Sequence, residues 1–166
     1  MDRRQWVRAG LALGAGAALA GCAVSPAGTP GLAAGALRKI ALGSCTNQTQ
    51  PQPIWDTVLA DRPDLVLFGG DNVYASQQPW TAAALDKAYA TQAAMPSFAR
   101  LRQGIRHHAI WDDHDYGLND GGADFASKAA SKQAFLDFWH LAANDPRRSR
   151  DGLYHAVTLG PTGQRL

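Results

Sequence analysis

The stretch LVLFGGDNVY, residues 65–74, decides the fold of this 166-residue chain. Its first four residues are apolar, which is typical of a short strand buried on both faces of a sheet. A polar turn with Asp71 follows directly. Two similar runs lie elsewhere: residues 39–42 lead into GSCTN, and residues 105–111 lead into DDHD. The sequence therefore predicts buried strands that each end in a polar cluster.

Helical patterns separate these strands. They cover residues 54–60, 82–101 and 125–142, and Pro96 is expected to divide the second of them. A last strand is expected over residues 153–159. Because strands and helices alternate along the chain, we predict an α/β fold.

The first 36 residues are expected to lie outside this fold. Residues 1–22 resemble an export signal of the twin-arginine type, with Arg3 and Arg4 ahead of a short uncharged run. Residues 23–36 are rich in Gly, Ala and Pro and are interpreted as a flexible tether. The folded part is assigned to residues 37–166.

The sequence Leu-Ala-Gly-Cys at the end of the signal resembles a lipobox, in which Cys22 would carry a lipid. The alternative is a signal without lipid. In either case we expect an exported protein, in the periplasm or on the outer face of the cell membrane. Its contact with the membrane would be only through that anchor or signal.

Charge and cysteine content argue against a nucleic-acid-binding protein and against a disulfide-stabilised domain. The formal net charge of +2 and the lack of a basic, aromatic-rich cluster argue against a nucleic-acid surface. With Cys22 assigned to the signal, Cys45 is the second of two cysteines, so no disulfide is expected in the mature domain. Metal ligation would explain Cys45, and a small buried side chain at a strand end is the alternative.

The polar clusters are predicted to meet, since ligands of open α/β sheets bind at the carboxyl ends of the strands. The side chains expected there are Cys45, Asp71, Tyr74, Asp112, Asp113, His114 and Asp115. Four carboxylates and a thiolate at one place would repel each other unless cations neutralise them. This mixture suits a transition metal, surplus carboxylates could hold calcium, and two such cations would bind phosphate oxygens and activate water.

The DDHD cluster at residues 112–115 is the strongest of these signals, and an exposed acidic loop is its alternative. Asp71 or Tyr74 alone would suggest a turn or a packing residue. The other histidines are expected to be structural: His107, His108, His140 and His155.

These motifs resemble those of the PhoD-like alkaline phosphatases. The similar stretches are residues 43–45, 67–74, 110–117, 119–122, 132–139 and 151–155. The resemblance covers the chain from about Arg38 to Leu166 and implies a calcineurin-like metallophosphoesterase, a four-layer α/β/β/α sandwich. It also implies that the second half of that domain, with further metal ligands, is missing after Leu166, and that the site is incomplete in this chain.

The resemblance assigns metal ligands by position. Asp71 would bridge two metal ions, and Cys45 and Tyr74 would bind iron. Asp113 stands where the related enzymes have an asparagine ligand, and Asp112 would bind a metal or support the loop. The implied cofactors are iron plus calcium.

The resemblance also assigns the catalytic group. His114 would contact the phosphate of a phosphoester substrate and assist the leaving group, and Asp115 would orient the ring of His114. The function expected is therefore a metal-dependent phosphoester hydrolase, with monoesters and diesters not distinguished. The alternatives are a non-catalytic metal-binding lipoprotein domain and a serine hydrolase built on Ser44, although a Gly-x-Ser-x-Gly motif is absent around Ser44.

Overall fold

The computed structural model of the chain describes residues 37–75 and 78–159. The predicted export signal, the tether and Cys22 lie outside the described residues. Within the described ranges, no helix has the length and apolar character needed to cross a membrane.

The described chain alternates short parallel strands with helices, which confirms the predicted α/β class. The strands are β1 (Ile40–Gly43), β2 (Leu65–Phe68) and β3 (His107–Ala109), and they form one parallel sheet in the order β1-β2-β3. The α-helices are α1 (Ile54–Asp61), α2 (Ala82–Ala93), α3 (Pro96–Gly104), α4 (Asp113–Tyr116) and α5 (Lys128–Phe138). A short 3-10 helix follows at Pro146–Arg148.

Local signals explain where the long helical pattern of residues 82–101 starts and breaks. The Thr81 hydroxyl accepts a hydrogen bond from the Ala84 N–H at 3.2 Å and caps α2. Pro96 then opens α3 as its first residue, where a missing N–H costs nothing. The predicted division of this segment at Pro96 is confirmed.

One face of the sheet carries the hydrophobic core. The ring of Phe68 on β2 lies 5.7 Å from Trp55 of α1, 5.8 Å from Phe98 of α3 and 4.8 Å from Trp139 after α5. His107 packs its ring against Phe68 and Trp139, as expected for a structural histidine. Full burial of such an aromatic side chain contributes roughly 1.5–3 kcal/mol, so this cluster holds three helices on the sheet.

Burial on both faces is confirmed for β2 and wrong for β1. Leu65 and Val66 are almost completely buried, whereas Leu42 is 79% exposed. β1 lies at the edge of the described sheet and pairs with β2 alone. An apolar run of residues predicts a strand equally well at the edge and at the centre of a sheet. The sequence pattern therefore could not show that one face of β1 is exposed.

The predicted strand over residues 153–159 is wrong, because this segment forms no strand in the described structure. Leu153 and Leu159 are buried and Tyr154 is exposed, so the segment presents one side to the core and another to solvent. A segment with a buried and an exposed side forms a strand only if another strand lies beside it in hydrogen-bonding register. Two other predicted elements are longer than observed, since α5 and β3 are shorter than residues 125–142 and 105–111.

A largely buried ion pair between Asp145 and Arg147 stabilises the turn that follows α5. The Arg147 guanidinium donates to both carboxylate oxygens of Asp145, at 2.9 and 2.7 Å, and the two side chains are 12% and 19% exposed. The Arg147 N–H also donates to Asp145 at 2.9 Å. The side-chain bonds from Arg147 are the main reason why the pKa of Asp145 falls from 3.8 to about 2, against the opposing effect of burial.

We expect Asp145→Asn to lower the free energy of unfolding by about 1 kcal/mol at pH 7. A carboxylate with a lowered pKa stabilises the fold above pH 3.8, and this contribution is lost as the pH falls toward 2. The deficit of the variant should therefore shrink between pH 4 and pH 2, as measured by urea unfolding.

The matched control is Asp61→Asn, since Asp61 pairs with Lys39 through side chains that are 58% and 50% exposed. This change should cost less than about 0.5 kcal/mol at either pH. A deficit for Asp145→Asn that stays constant down to pH 2 would contradict the proposed role of the ion pair.

Candidate metal centre

The loops that follow β1 and β2 continue side by side beyond the sheet. The Cys45 N–H donates to the Gly70 carbonyl at 3.2 Å, and the Thr46 N–H donates to the Asp71 carbonyl at 2.7 Å. The strand pairing is thus extended into the polar clusters. This extension places Cys45 beside Asp71.

Both of these candidate ligands have a left-handed backbone. The φ angle is 59° at Cys45 and 51° at Asp71. Such a conformation is uncommon for residues other than glycine and is concentrated at functional sites. It turns each chain sharply at the point where its strand ends.

Gly70 allows the Asp71 turn to approach the start of α4. Its φ angle is +112°, and a Cβ atom at this position would lie only 2.6 Å from the Cβ of Asp112 and 3.2 Å from the Asp112 nitrogen. An L side chain does not fit there without movement of the Asp112 backbone. The glycine is therefore required by both conformation and space.

The DDHD cluster forms the short helix α4 rather than an irregular acidic loop. Asp112 is its N-cap, and the Asp112 carboxylate accepts from the Asp113 N–H at 3.0 Å. Asp115 closes the capping box by accepting from the Asp112 N–H at 3.1 Å. The exposed Asp112 side chain thus begins the helix, and its predicted role as a metal ligand stays a prediction.

The predicted convergence of the three clusters is confirmed. Asp71, Asp113 and His114 each offer one ligand atom, and these atoms all lie within 4.8 Å of one another. The Tyr74 hydroxyl donates to Asp71 Oδ2 at 3.1 Å, and the Cys45 Sγ lies 3.6 Å from the same oxygen. Asp71 is the centre of the group.

The second oxygen of Asp71, Oδ1, is buried and has no hydrogen-bond partner among the described residues. A buried acceptor without a partner costs free energy, more so when it is charged. A cation coordinated at Oδ1 would remove this cost. Carboxylate and imidazole donors within 4.8 Å of one another, with the Cys45 sulfur and the Tyr74 phenol beside Asp71 Oδ2, fit a transition-metal ion.

Two side chains of the group, Asp113 and Tyr74, have shifted pKa values. Burial alone would raise the pKa of Asp113, but the Asp120 N–H, which donates at 2.6 Å, and the nearby His114 lower it overall. Burial, followed by the proximity of Cys45 and Asp71, raises the pKa of Tyr74 far above 10. Without a metal ion Tyr74 is therefore a neutral donor to Asp71, and its ring lies 4.2 Å from that of His114.

Asp115 lies apart from this group and is completely buried. Its oxygens accept from the backbone and side-chain N–H groups of Asn72 at 2.9–3.1 Å and from the Tyr89 hydroxyl at 3.1 Å. Burial raises the pKa of Asp115 to about 7 in spite of these donors. Asp115 ties the Asp71 turn to α4, and its predicted role in orienting His114 stays a prediction.

The crowding predicted for four carboxylates is confirmed for two of them, Asp71 and Asp113. Sequence reasoning also missed supporting residues that touch the site, among them Asn72, Tyr89 and Gln48. Asn72 was signalled by its place directly after Asp71. Tyr89 lies in the middle of α2 and carries no local signal.

No family model matches the chain, and comparisons with curated proteins and with solved structures return no match either. The site geometry and the sequence motifs therefore carry the functional interpretation.

We expect Gly70→Ala to destabilise the protein by about 1–3 kcal/mol, because it combines backbone strain with a collision against Asp112. It should also weaken the binding of a divalent ion such as Co²⁺. Urea unfolding and calorimetric titration measure the two effects.

Gly104→Ala is the matched control for Gly70→Ala. A Cβ at Gly104, the last residue of α3, meets no atom within 4 Å. Its stability should change by less than about 1 kcal/mol, in the stabilising direction. Equal behaviour of the two variants would refute the close approach inferred at Gly70.

Asp115→Ala should lower the free energy of unfolding by about 3 kcal/mol or more, since it leaves the buried donors of Asn72, Asp112 and Tyr89 without an acceptor. Tyr89→Phe removes a single bond and should cost about 1 kcal/mol. Asp86→Ala, at an exposed carboxylate on α2, serves as the control and should change stability by less than about 0.5 kcal/mol. A cost for Asp115→Ala as small as that of Asp86→Ala would show that the buried network does not stabilise the fold.

Proposed function

We propose that the protein is a metal-dependent phosphoester hydrolase of the PhoD-like type. The observation that carries this proposal is the buried Asp71 Oδ1, which lacks a hydrogen-bond partner among the described residues and belongs to a side chain that meets Asp113 and His114. The described parallel sheet and its helices would be part of a four-layer α/β/β/α domain.

Asp71 and Asp113 are the residues that would hold metal, with Cys45 and Tyr74 as further ligands of an iron ion. Calcium is the second ion proposed, since carboxylate oxygens are its preferred donors. Bound metal would supply charge neutralisation at phosphate and a water of lowered pKa.

His114 would act on the leaving group of the substrate. One of its ring nitrogens lies within 4.8 Å of an oxygen of Asp71 and of an oxygen of Asp113. Its ring packs against that of Tyr74 at an interplanar angle of 40°. A histidine held at this rim can keep a proton and give it to the departing alcohol oxygen. The Tyr74 ring limits the directions in which the imidazole can turn.

The proposed setting is outside the cytoplasm. Residues 1–22 would direct export, and Cys22 would carry the lipid anchor if the lipobox is used. Mass spectrometry of the protein recovered from membranes would test lipidation, and a Cys22→Ala variant should then be recovered in the soluble periplasmic fraction.

Metal analysis and hydrolysis assays, on this chain and on the full-length gene product, test the enzymatic proposal. We expect bound metal and chelator-sensitive hydrolysis of a nitrophenyl phosphate monoester or diester. Asp71→Ala and Asp113→Ala should remove metal and lower the rate by at least about 100-fold. His114→Ala should lower kcat with a smaller loss of bound metal than Asp71→Ala shows, and Asp86→Ala should match the wild type.

The other outcomes separate the alternatives. Stoichiometric metal with no hydrolysis of either ester, by this chain or by the full-length gene product, would favour a non-catalytic metal-binding domain. A chain that binds no metal under any loading condition would refute both interpretations. The serine-hydrolase alternative is disfavoured by the described hydrogen bond of Ser44, which runs from its hydroxyl to Cys45 Sγ at 3.5 Å, and Ser44→Ala should retain activity.

A further inference from the structure

The side chain of Gln48 pairs with the backbone of Tyr74 in both directions. Its Nε2 donates to the Tyr74 carbonyl at 2.8 Å, and its Oε1 accepts from the Tyr74 N–H at 2.8 Å. Gln48 is only 7% exposed. One side-chain amide thus satisfies both backbone polar groups of a candidate metal ligand.

This pair continues the alignment of the loops beyond the sheet. Backbone bonds join Cys45 to Gly70 and Thr46 to Asp71, and the Gln48 amide provides the next attachment, at Tyr74. The amide takes the place that a neighbouring peptide group would have in a strand ladder. The chain from Asp71 to Tyr74 is therefore held at both ends.

The consequence for the site is the position of the phenol. With its backbone fixed, Tyr74 places its hydroxyl 3.1 Å from Asp71 Oδ2 and its ring 4.2 Å from that of His114. A backbone shift of about 1 Å at Tyr74 would move the phenolic oxygen out of reach of an ion at Asp71, since ligand distances to a metal tolerate only about 0.2 Å.

A second buried amide pair, between Gln52 and Gln92, lies away from the candidate metal ligands. Gln52 and Gln92 also exchange two hydrogen bonds, each of 2.9 Å, and Gln92 is completely buried. That pair joins the loop before α1 to α2, and neither residue bonds to a candidate ligand side chain. Gln52 also donates to the carbonyl of Asn47, next to Gln48, at 2.8 Å. Gln92 is therefore the position whose substitution serves as the matched control for the loss of a buried amide pair.

We propose that Gln48 is a positioning residue of the metal centre, whose amide holds the Tyr74 backbone so that the phenolic oxygen can bind a metal ion together with Asp71. This inference rests on the proposed function, because it requires a metal ion at Asp71.

Iron(III) provides the test, because a phenolate bound to it gives a charge-transfer absorption band in the visible. The full chain is loaded with iron(III) supplied as a citrate complex, and the band is measured per bound iron. We expect the band in the wild type and its loss in Tyr74→Phe. In Gln48→Leu, the band per bound iron should weaken or shift, and iron affinity should fall by about 10-fold.

Two further variants separate positioning from general stability. Gln92→Leu breaks the control pair and should leave the band per bound iron unchanged, even where it lowers the unfolding temperature. Gln48→Glu can accept from the Tyr74 N–H but cannot donate to its carbonyl, so its band should lie between those of the wild type and Gln48→Leu.

The failures of the two proposals are distinguishable. A wild-type band and affinity in Gln48→Leu would overturn the role of Gln48 and leave the metal centre standing. The role of Gln48 would also be overturned, with the metal centre left standing, if the wild type binds iron without showing the band. It would likewise be overturned if Tyr74→Phe retains the band. A wild type that binds no iron or other metal would instead overturn the proposed function itself.

Discussion

The carboxylate of Asp115 joins the two chain segments that supply the candidate metal ligands. It accepts hydrogen bonds from Asn72, which follows Asp71, and from the backbone of Asp112, which precedes Asp113. Burial of a carboxylate is costly, and several donors are needed to offset that cost. The donors come from both segments. The Asp115 carboxylate therefore keeps its hydrogen bonds only when the two segments, and the candidate ligands on them, stay in their relative positions.

Close approach of the two segments is the second condition for the site. The Asp71 turn can lie against α4 only because Gly70 has no side chain on the Asp112 side. On the other side of Asp71, backbone bonds bring the loop of Cys45 alongside. The centre is thus built from three loops held by backbone hydrogen bonds and by the Asp115 carboxylate, and the candidate ligand side chains contribute little to holding the loops together. Loops fixed in this way would hold the candidate ligands in place for a metal ion.

Much of the framework could be predicted, and the reasons are local. The apolar run of β2 and the break at Pro96 were both predicted correctly, since each depends on neighbouring residues alone. The meeting of Asp71 with Asp113 and His114 followed from a general property of parallel sheets, whose carboxyl ends share one edge. The expected strand at residues 153–159 failed because pairing requires an aligned partner, which no local pattern specifies.

The sequence by itself determined the α/β order of elements and the residue types collected at one rim, since strand periodicity, proline breaks and polar turns act over a few residues. Only the tertiary structure decided how the four carboxylates divide into candidate ligands, a helix cap and a buried junction. The partners that make this division are distant in sequence: Asp115 bonds to residues 26 and 43 positions away, and Gln48 lies 26 positions from Tyr74. Such contacts depend on how the helices and loops pack in three dimensions, and no local propensity encodes them.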